Sequence, residues 1–246
     1  MRVATIRFLG AALGAFLASA GSVHAGTIFL FSDPSGLSAE AEFTASGTTL
    51  TIRLKNTSTG APGLFSNSDQ ILTGISWDFG QVGFNGDPTI TGGSVAIGSS
   101  SASLNFDNIG APPQLGPGAD VSGEYGYGNM DGTGALTNFV SANTAVATPF
   151  GGANLDGPAS IDGPQGGLVA SPEVIGLGGL GAIQDEIDIT LTLSEAVLQQ
   201  DILGELGQVR VEFGSDAAFI TVPEPGSLVC LCLGASILLG RRRRSS

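Results

Sequence analysis

The sequence predicts an all-β fold: a single β-sandwich, jelly-roll-like, with long loops rich in glycine and proline. Three observations lead there. Apolar and polar residues alternate along Leu37 to Ala45, Leu50 to Leu54 and Ile187 to Leu193, the period of a strand with one buried face. No stretch between the two ends sustains the period of a helix. Between Gly26 and Thr221 lie 33 of the 39 glycines, about 17% of that stretch against a usual ~7%.

Thr27 to Phe31 is a short apolar run, and Asp33-Pro34-Ser35-Gly36 after it suits a turn. Leu37, Ala39, Ala41, Phe43 and Ala45 then share one face, with Ser38, Glu40, Glu42 and Thr44 on the other. Beyond Ser46-Gly47, Leu50, Ile52 and Leu54 alternate with Thr51, Arg53 and Lys55. Two period-two runs joined by a short glycine-containing loop predict a hairpin, whose outer face places Glu40 and Glu42 across from Arg53 and Lys55. Asn56 to Asp69 reads as a loop, and Ile71 to Phe79, holding the only tryptophan, Trp77, as a strand. Shorter strands are expected at Ser94 to Ile97, Leu104 to Phe106 and Glu124 to Tyr127. Pro112-Pro113, Gly151-Gly152, Gly166-Gly167 and Gly178-Gly179 make Ala111 to Ala182 irregular; its interspersed Leu, Ile, Val and Phe favour ordered loops over disorder. Ile187 to Leu193 is a half-buried strand. Ser194 to Leu206 allows one or two helical turns, Val209 to Phe213 closes the fold, and Ser215 to Thr221 is a connection.

Composition restricts the chemistry. From Gly26 to Thr221 three basic residues, Arg53, Lys55 and Arg210, stand against 21 carboxylates, a net charge of −18. Such a surface repels nucleic acid and anionic lipid. The only histidine, His24, and the only cysteines, Cys230 and Cys232, fall outside this body. That removes histidine-based triads, cysteine nucleophiles, Cys/His zinc sites and disulfides from it, and the body is read as no enzyme. With 196 residues from Gly26 to Thr221, one domain relying on its own core is the default.

The two ends read as handling signals. Residues 1–25 have the layout of a signal peptide: Arg2 and Arg7, then an apolar helix over Phe8 to Ala20, then small residues that favour cleavage between Ala25 and Gly26. Ala18 and Ala20 mark a second site before Gly21. At the other end stand Val222-Pro223-Glu224-Pro225, an uncharged run over 226–240, and Arg241, Arg242, Arg243 and Arg244. As a transmembrane helix that run is about 22 Å long, short of a ~30 Å hydrocarbon core. The arginines hold its end on the cytoplasmic side. Either a temporary or a permanent anchor is compatible with these features.

In these three parts, residues 222–246 resemble the sorting signal of PEP-CTERM proteins, which Gram-negative bacteria sort through an exosortase. The resemblance implies cleavage near Pro223-Glu224-Pro225 and transfer from the inner membrane to the cell surface or an exopolysaccharide matrix. Exosortase and signal peptidase are the partners it implies, with exopolysaccharide as a further one and no nucleic acid. Val121-Ser122-Gly123-Glu124-Tyr125-Gly126-Tyr127 and Leu155-Asp156-Gly157-Pro158 look like segments of the β-rich bodies of such proteins. The resemblance carries no catalytic residues, and the role it leaves is structural.

An alternative is a module binding exopolysaccharide or calcium. Trp77, Tyr125 and Tyr127 offer stacking faces for sugar, although aromatic residues on strands more often pack in the core. Asp33, Asp156, Asp162, Asp185, Glu186 and Asp188 are candidate oxygen ligands for calcium, but no EF-hand spacing is present and Asp beside Gly is more often a turn residue. No cofactor is expected. A glycosidase needs only two carboxylates, yet nothing singles out a pair among 21. The glycine pairs match neither GxxxxGK[ST] nor GxGxxG.

Overall fold

The computed structural model describes residues 26–58, 68–79, 88–105, 115–129, 136–143, 147–153, 155, 161, 166–170, 181–199, 202, 208–215 and 218–222. In chain order its strands are β1 (Thr27–Ser32), β2 (Ser38–Ser46), β3 (Thr49–Asn56), β4 (Leu72–Asp78), β5 (Ile90–Ile97), β6 (Ser103–Asn105), β7 (Gly126–Gly128), β8 (Asn138–Ser141), β9 (Thr148–Pro149), β10 (Leu168–Val169), β11 (Gly181–Gln184), β12 (Glu186–Leu193), β13 (Gln208–Phe213) and β14 (Ala218–Val222). They form two sheets. The first runs β1-β2-β3-β12-β5. The second runs β6-β11-β10-β4-β8-β7-β9, with β13 also beside β4 and β14 outside β13.

Alternation decides which face each strand buries. Ala39, Ala41 and Phe43 of β2, Leu50, Ile52 and Leu54 of β3, and Ile187, Ile189 and Leu191 of β12 are buried together. Ile75 and Trp77 of β4 and Val209, Val211 and Phe213 of β13 join them in one core shared by both sheets. An aromatic file crosses it. Phe29 meets Phe43 edge-on at 5.4 Å, Phe43 meets Trp77 at 5.8 Å and Trp77 meets Phe79 at 6.3 Å, the T-shaped geometry that ring quadrupoles favour.

The first hairpin forms in the register its pattern implies, with Glu40 opposite Lys55 and Glu42 opposite Arg53. On that outer face Arg53 lies 3.3 Å from Glu42 and 3.3 Å from Asp188, whose strand β12 follows beyond β3. Burial works to lower the Arg53 pKa, but Asp188, Glu186 and Glu42 together hold it above its ordinary value. The site is half exposed, so these pairs contribute little to stability.

Two expected elements are corrected. Glu124 to Tyr127 is not one strand: Ser122–Glu124 is a buried 3-10 turn, Tyr125 is extended without being part of a strand, and the strand itself is Gly126–Gly128. Glu124 accepts a hydrogen bond from the Leu155 amide, which draws the chain into a turn. Ser215 to Thr221 is not a plain connection, because most of it is β14, paired along its length with β13. Ile220 at its centre is its only buried residue, and the pairing with β13 fixes a short strand whose alternation the sequence does not show. In the expected helical stretch, Ile202 N–H bonds to Leu198 C=O at 3.4 Å.

Among the described residues no helix is long and apolar enough to cross a membrane. The expected signal-peptide helix and the expected transmembrane helix over 226–240 lie outside the described residues.

Candidate functional site

Of the sorting residues expected from sequence, Val222 is described, and it is the last residue of β14. Its position follows from the β13–β14 hairpin. Gly214, at φ 71°, takes the left-handed conformation that opens the turn, and its amide bonds to Ile71 C=O at 2.8 Å. Ile220 then pairs with Val211 and Val222 with Val209. On the outer face the Arg210 guanidinium sits 4.3 Å over the Phe219 ring. The residue before a proline is restricted to extended backbone, which strand β14 supplies at Val222. Pro223 and Pro225 have no amide hydrogen for a ladder. The first residue of the signature, Val222, is thus the last described residue of the sheet.

The other end enters the fold close by. Strand β1 begins at Thr27, one residue after Gly26, and lies beside β14 at the open side of the two sheets. Beyond the start of β1 the ladder of β2 is completed by a side chain. Gln199 accepts from Ala45 N–H at 2.7 Å and donates to Phe43 C=O at 3.0 Å and to the Thr27 hydroxyl at 3.2 Å. The chain ends thus join the body at neighbouring edge strands. Residues 1–25, including Ala25, and residues 223–246, with Pro223, Glu224, Pro225 and Arg241 to Arg244, lie outside the described residues.

The candidate ligands do not converge. Asp33 accepts from Ser35 N–H at 2.8 Å, from the Ser35 hydroxyl and from Leu37 N–H, so it shapes a turn. Glu186 and Asp188 face Arg53. Asp185, at φ 58°, donates its amide to Val169 C=O at 2.7 Å. Asp156 and Asp162 lie outside the described residues. Among the described residues no three His, Cys, Asp or Glu side chains are grouped as a metal site. The sugar-stacking candidates fare similarly. Trp77 and Tyr125 are buried in the core. Half-buried Tyr127 is stacked on Phe150 at 4.9 Å and 29°.

What sequence reasoning missed is a clasp built from Asp120 to Tyr125. Ser122 Oγ accepts from Val95 N–H at 2.9 Å, fastening the segment to β5. The Asp120 carboxylate accepts from Ser122 N–H at 2.9 Å, from the Ser122 hydroxyl and from Ala153 N–H at 3.3 Å. Glu124 holds the Leu155 amide, and Tyr125 donates its hydroxyl to Gly166 C=O at 2.8 Å. Gly166 is at φ 78°, and a Cβ there would strike the Glu124 carboxylate. Burial, then the Glu124 charge, pushes the Tyr125 pKa up, so the hydroxyl stays a donor. The segment Val121 to Tyr127 thereby pins glycine-rich loops to the sheets. The signal for it was the short polar spacing of Asp120, Ser122 and Glu124, which sequence alone does not distinguish from a turn.

The clasp has a pH signature. Burial works to raise the Asp120 pKa, but the hydrogen bonds from Ser122 and Ala153 hold it below the ordinary value. Its folded pKa is therefore lower than its unfolded one, ~3.9. The stabilisation is present above ~pH 4 and is lost as pH falls through the folded value. Asp120→Asn is expected to melt below wild type at neutral pH, with the difference vanishing in strong acid; melting curves over an acid series check this.

Comparison with protein families places a PEP-CTERM protein-sorting motif at residues 221–244. That motif marks an exported chain that an exosortase processes. No curated protein and no solved structure matches the chain.

Proposed function

We propose that this PEP-CTERM motif-bearing chain is a non-enzymatic structural protein of the cell surface or extracellular matrix. In this reading signal peptidase cuts between Ala25 and Gly26, residues 226–240 hold the body at the inner membrane for a time, and exosortase cuts near Pro223-Glu224-Pro225. The observation that carries it is the meeting of motif and fold at one residue. Strand β14 ends at Val222, where the motif's Pro-Glu-Pro begins. Cleavage within Pro223-Glu224-Pro225 leaves every described strand and core residue with the body. A structural role is further supported by a body without His or Cys from Gly26 to Thr221, by the burial of Trp77 and Tyr125 in the core and by loops held in a clasp.

The experiment is fractionation of the native host with and without its exosortase. With the enzyme, the body is recovered outside the inner membrane. Without it, the chain stays in the membrane fraction with Arg241 to Arg244 attached. Release in the absence of exosortase would overturn the reading.

A further inference from the structure

We propose that strand β1 is an assembly edge, and that it pairs with β1 of a second copy of this chain. Among the described strands β1 is hydrogen-bonded to β2 alone, with β14 of the other sheet packed near it. Its six residues, Thr-Ile-Phe-Leu-Phe-Ser, carry no charge, no proline and no glycine, and the register with β2 runs without a bulge. An edge of that kind lacks the devices that normally block pairing. The first expectation for this stretch, a plain apolar run, is refined by its alternation. Phe29 and Phe31 are buried, while Ile28 is 55% and Leu30 68% exposed.

Hydrogen bonding shows which backbone groups the edge offers. Asp33 N–H bonds to Leu37 C=O at 3.0 Å in the same register as β1 and β2. Bonded pairs alternate along an antiparallel ladder, so Phe31, Phe29 and Thr27 bond towards β2. Thr57 N–H to Ser38 C=O at 3.0 Å agrees, since it turns the even positions of β2 towards β3. The amides and carbonyls of Ile28 and Leu30 therefore point away from the sheet. Their side chains are also the exposed ones.

These two residues are self-complementary. In antiparallel pairing centred on Phe29, each copy's Ile28 stands opposite the other's Leu30 and both backbone bonds are exchanged at each pair. The exposed apolar side chains then cover one another, and Phe29 meets Phe29 on the core side. Neither terminal segment is a better occupant. The C-terminal segment leaves β14 through Pro223 and Pro225, which cannot donate to a ladder. The N-terminal segment precedes β1 directly and is absent from the exported chain, a clause that rests on the proposed processing. A charged partner finds no charge on β1 to recognise. The body's net charge of −18 opposes approach of two copies at low salt and is screened at high salt.

The test is sedimentation velocity on the exported protein, across micromolar concentrations at low and high salt. The expected result is a monomer–dimer equilibrium that strengthens with salt. Leu30→Lys, a change at an exposed position, raises the dissociation constant at least about tenfold with an unchanged melting curve. Thr190→Lys, on the same outer face but at the interior strand β12, leaves it unchanged. A wild type that stays monomeric at high salt, or a Leu30→Lys variant that associates like wild type, overturns the proposal. Intact mass of the same sample reports separately whether the ends are gone. If they are retained, a chain of residues 26–222, which holds every described strand and the whole core, replaces it.

Discussion

Trp77→Ala is expected to cost about 3–5 kcal/mol of folding stability, the range for deleting a large buried aromatic side chain. Trp77 is fully buried between Phe43 and Phe79, where the two sheets meet. Removing it leaves a void at the middle of the aromatic file, and rigid strands on both sides limit collapse into it. Trp77→Phe is expected to cost much less, about 1–2 kcal/mol. It keeps most of the apolar volume, and the indole N–H it removes finds no acceptor among the described residues. Urea denaturation of both variants checks this. Were Trp77 a sugar-stacking residue, Trp77→Ala would leave the midpoint close to wild type.

Replacing Pro223, Glu224 and Pro225 together by alanine is expected to stop release of the body and to leave the chain in the membrane fraction. The folded part should be untouched, since β14 ends at Val222 and the core lies upstream. Protease resistance of the body would therefore match wild type while the released fraction falls from the bulk of the protein to a trace. The physical reason is local. The prolines carry no amide hydrogen for a ladder and restrict the residue before each to extended backbone. Alanines restore two amides there, at positions 223 and 225. Release at the normal level would contradict the expectation.

Where alternation is long, sequence and structure agree closely. The Leu37 to Lys55 hairpin and the Ile187 to Leu193 strand have one face in a core and one in solvent, so each residue repeats the same instruction. Val209 and Val211 of β13 begin the same alternation, whereas β4, which holds Trp77, is buried on both faces from Leu72 to Trp77. Legibility fails where a single side chain decides. Glu124 turns the chain because its carboxylate meets the amide of Leu155, 31 residues away, and no local pattern encodes that distance. Gln199 completes a ladder for β2 from 154 residues beyond Ala45. Strand β14 was missed because four of its five residues are apolar and only Ile220 is buried, so the sequence shows no alternation; pairing with β13 fixes the strand.

The candidate site divides in the same way. The sorting signal was legible because charge, apolar length and prolines act through chain chemistry that needs no fold. The sugar and calcium candidates were not, because burial of Trp77 and Tyr125 and the pairing of Asp188 with Arg53 are tertiary facts. The free edge at Ile28 and Leu30 needed both kinds of information. Sequence shows the apolar run, but the register with β2 decides that these two residues point outward.

The central claim is that the body is delivered and then separated from its address. Intact mass of the protein released by the native host tests it most directly. The released chain is expected to begin at Gly26, to end near Pro223-Glu224-Pro225 and to lack Arg241 to Arg244. A released chain whose mass still includes those four arginines would contradict it.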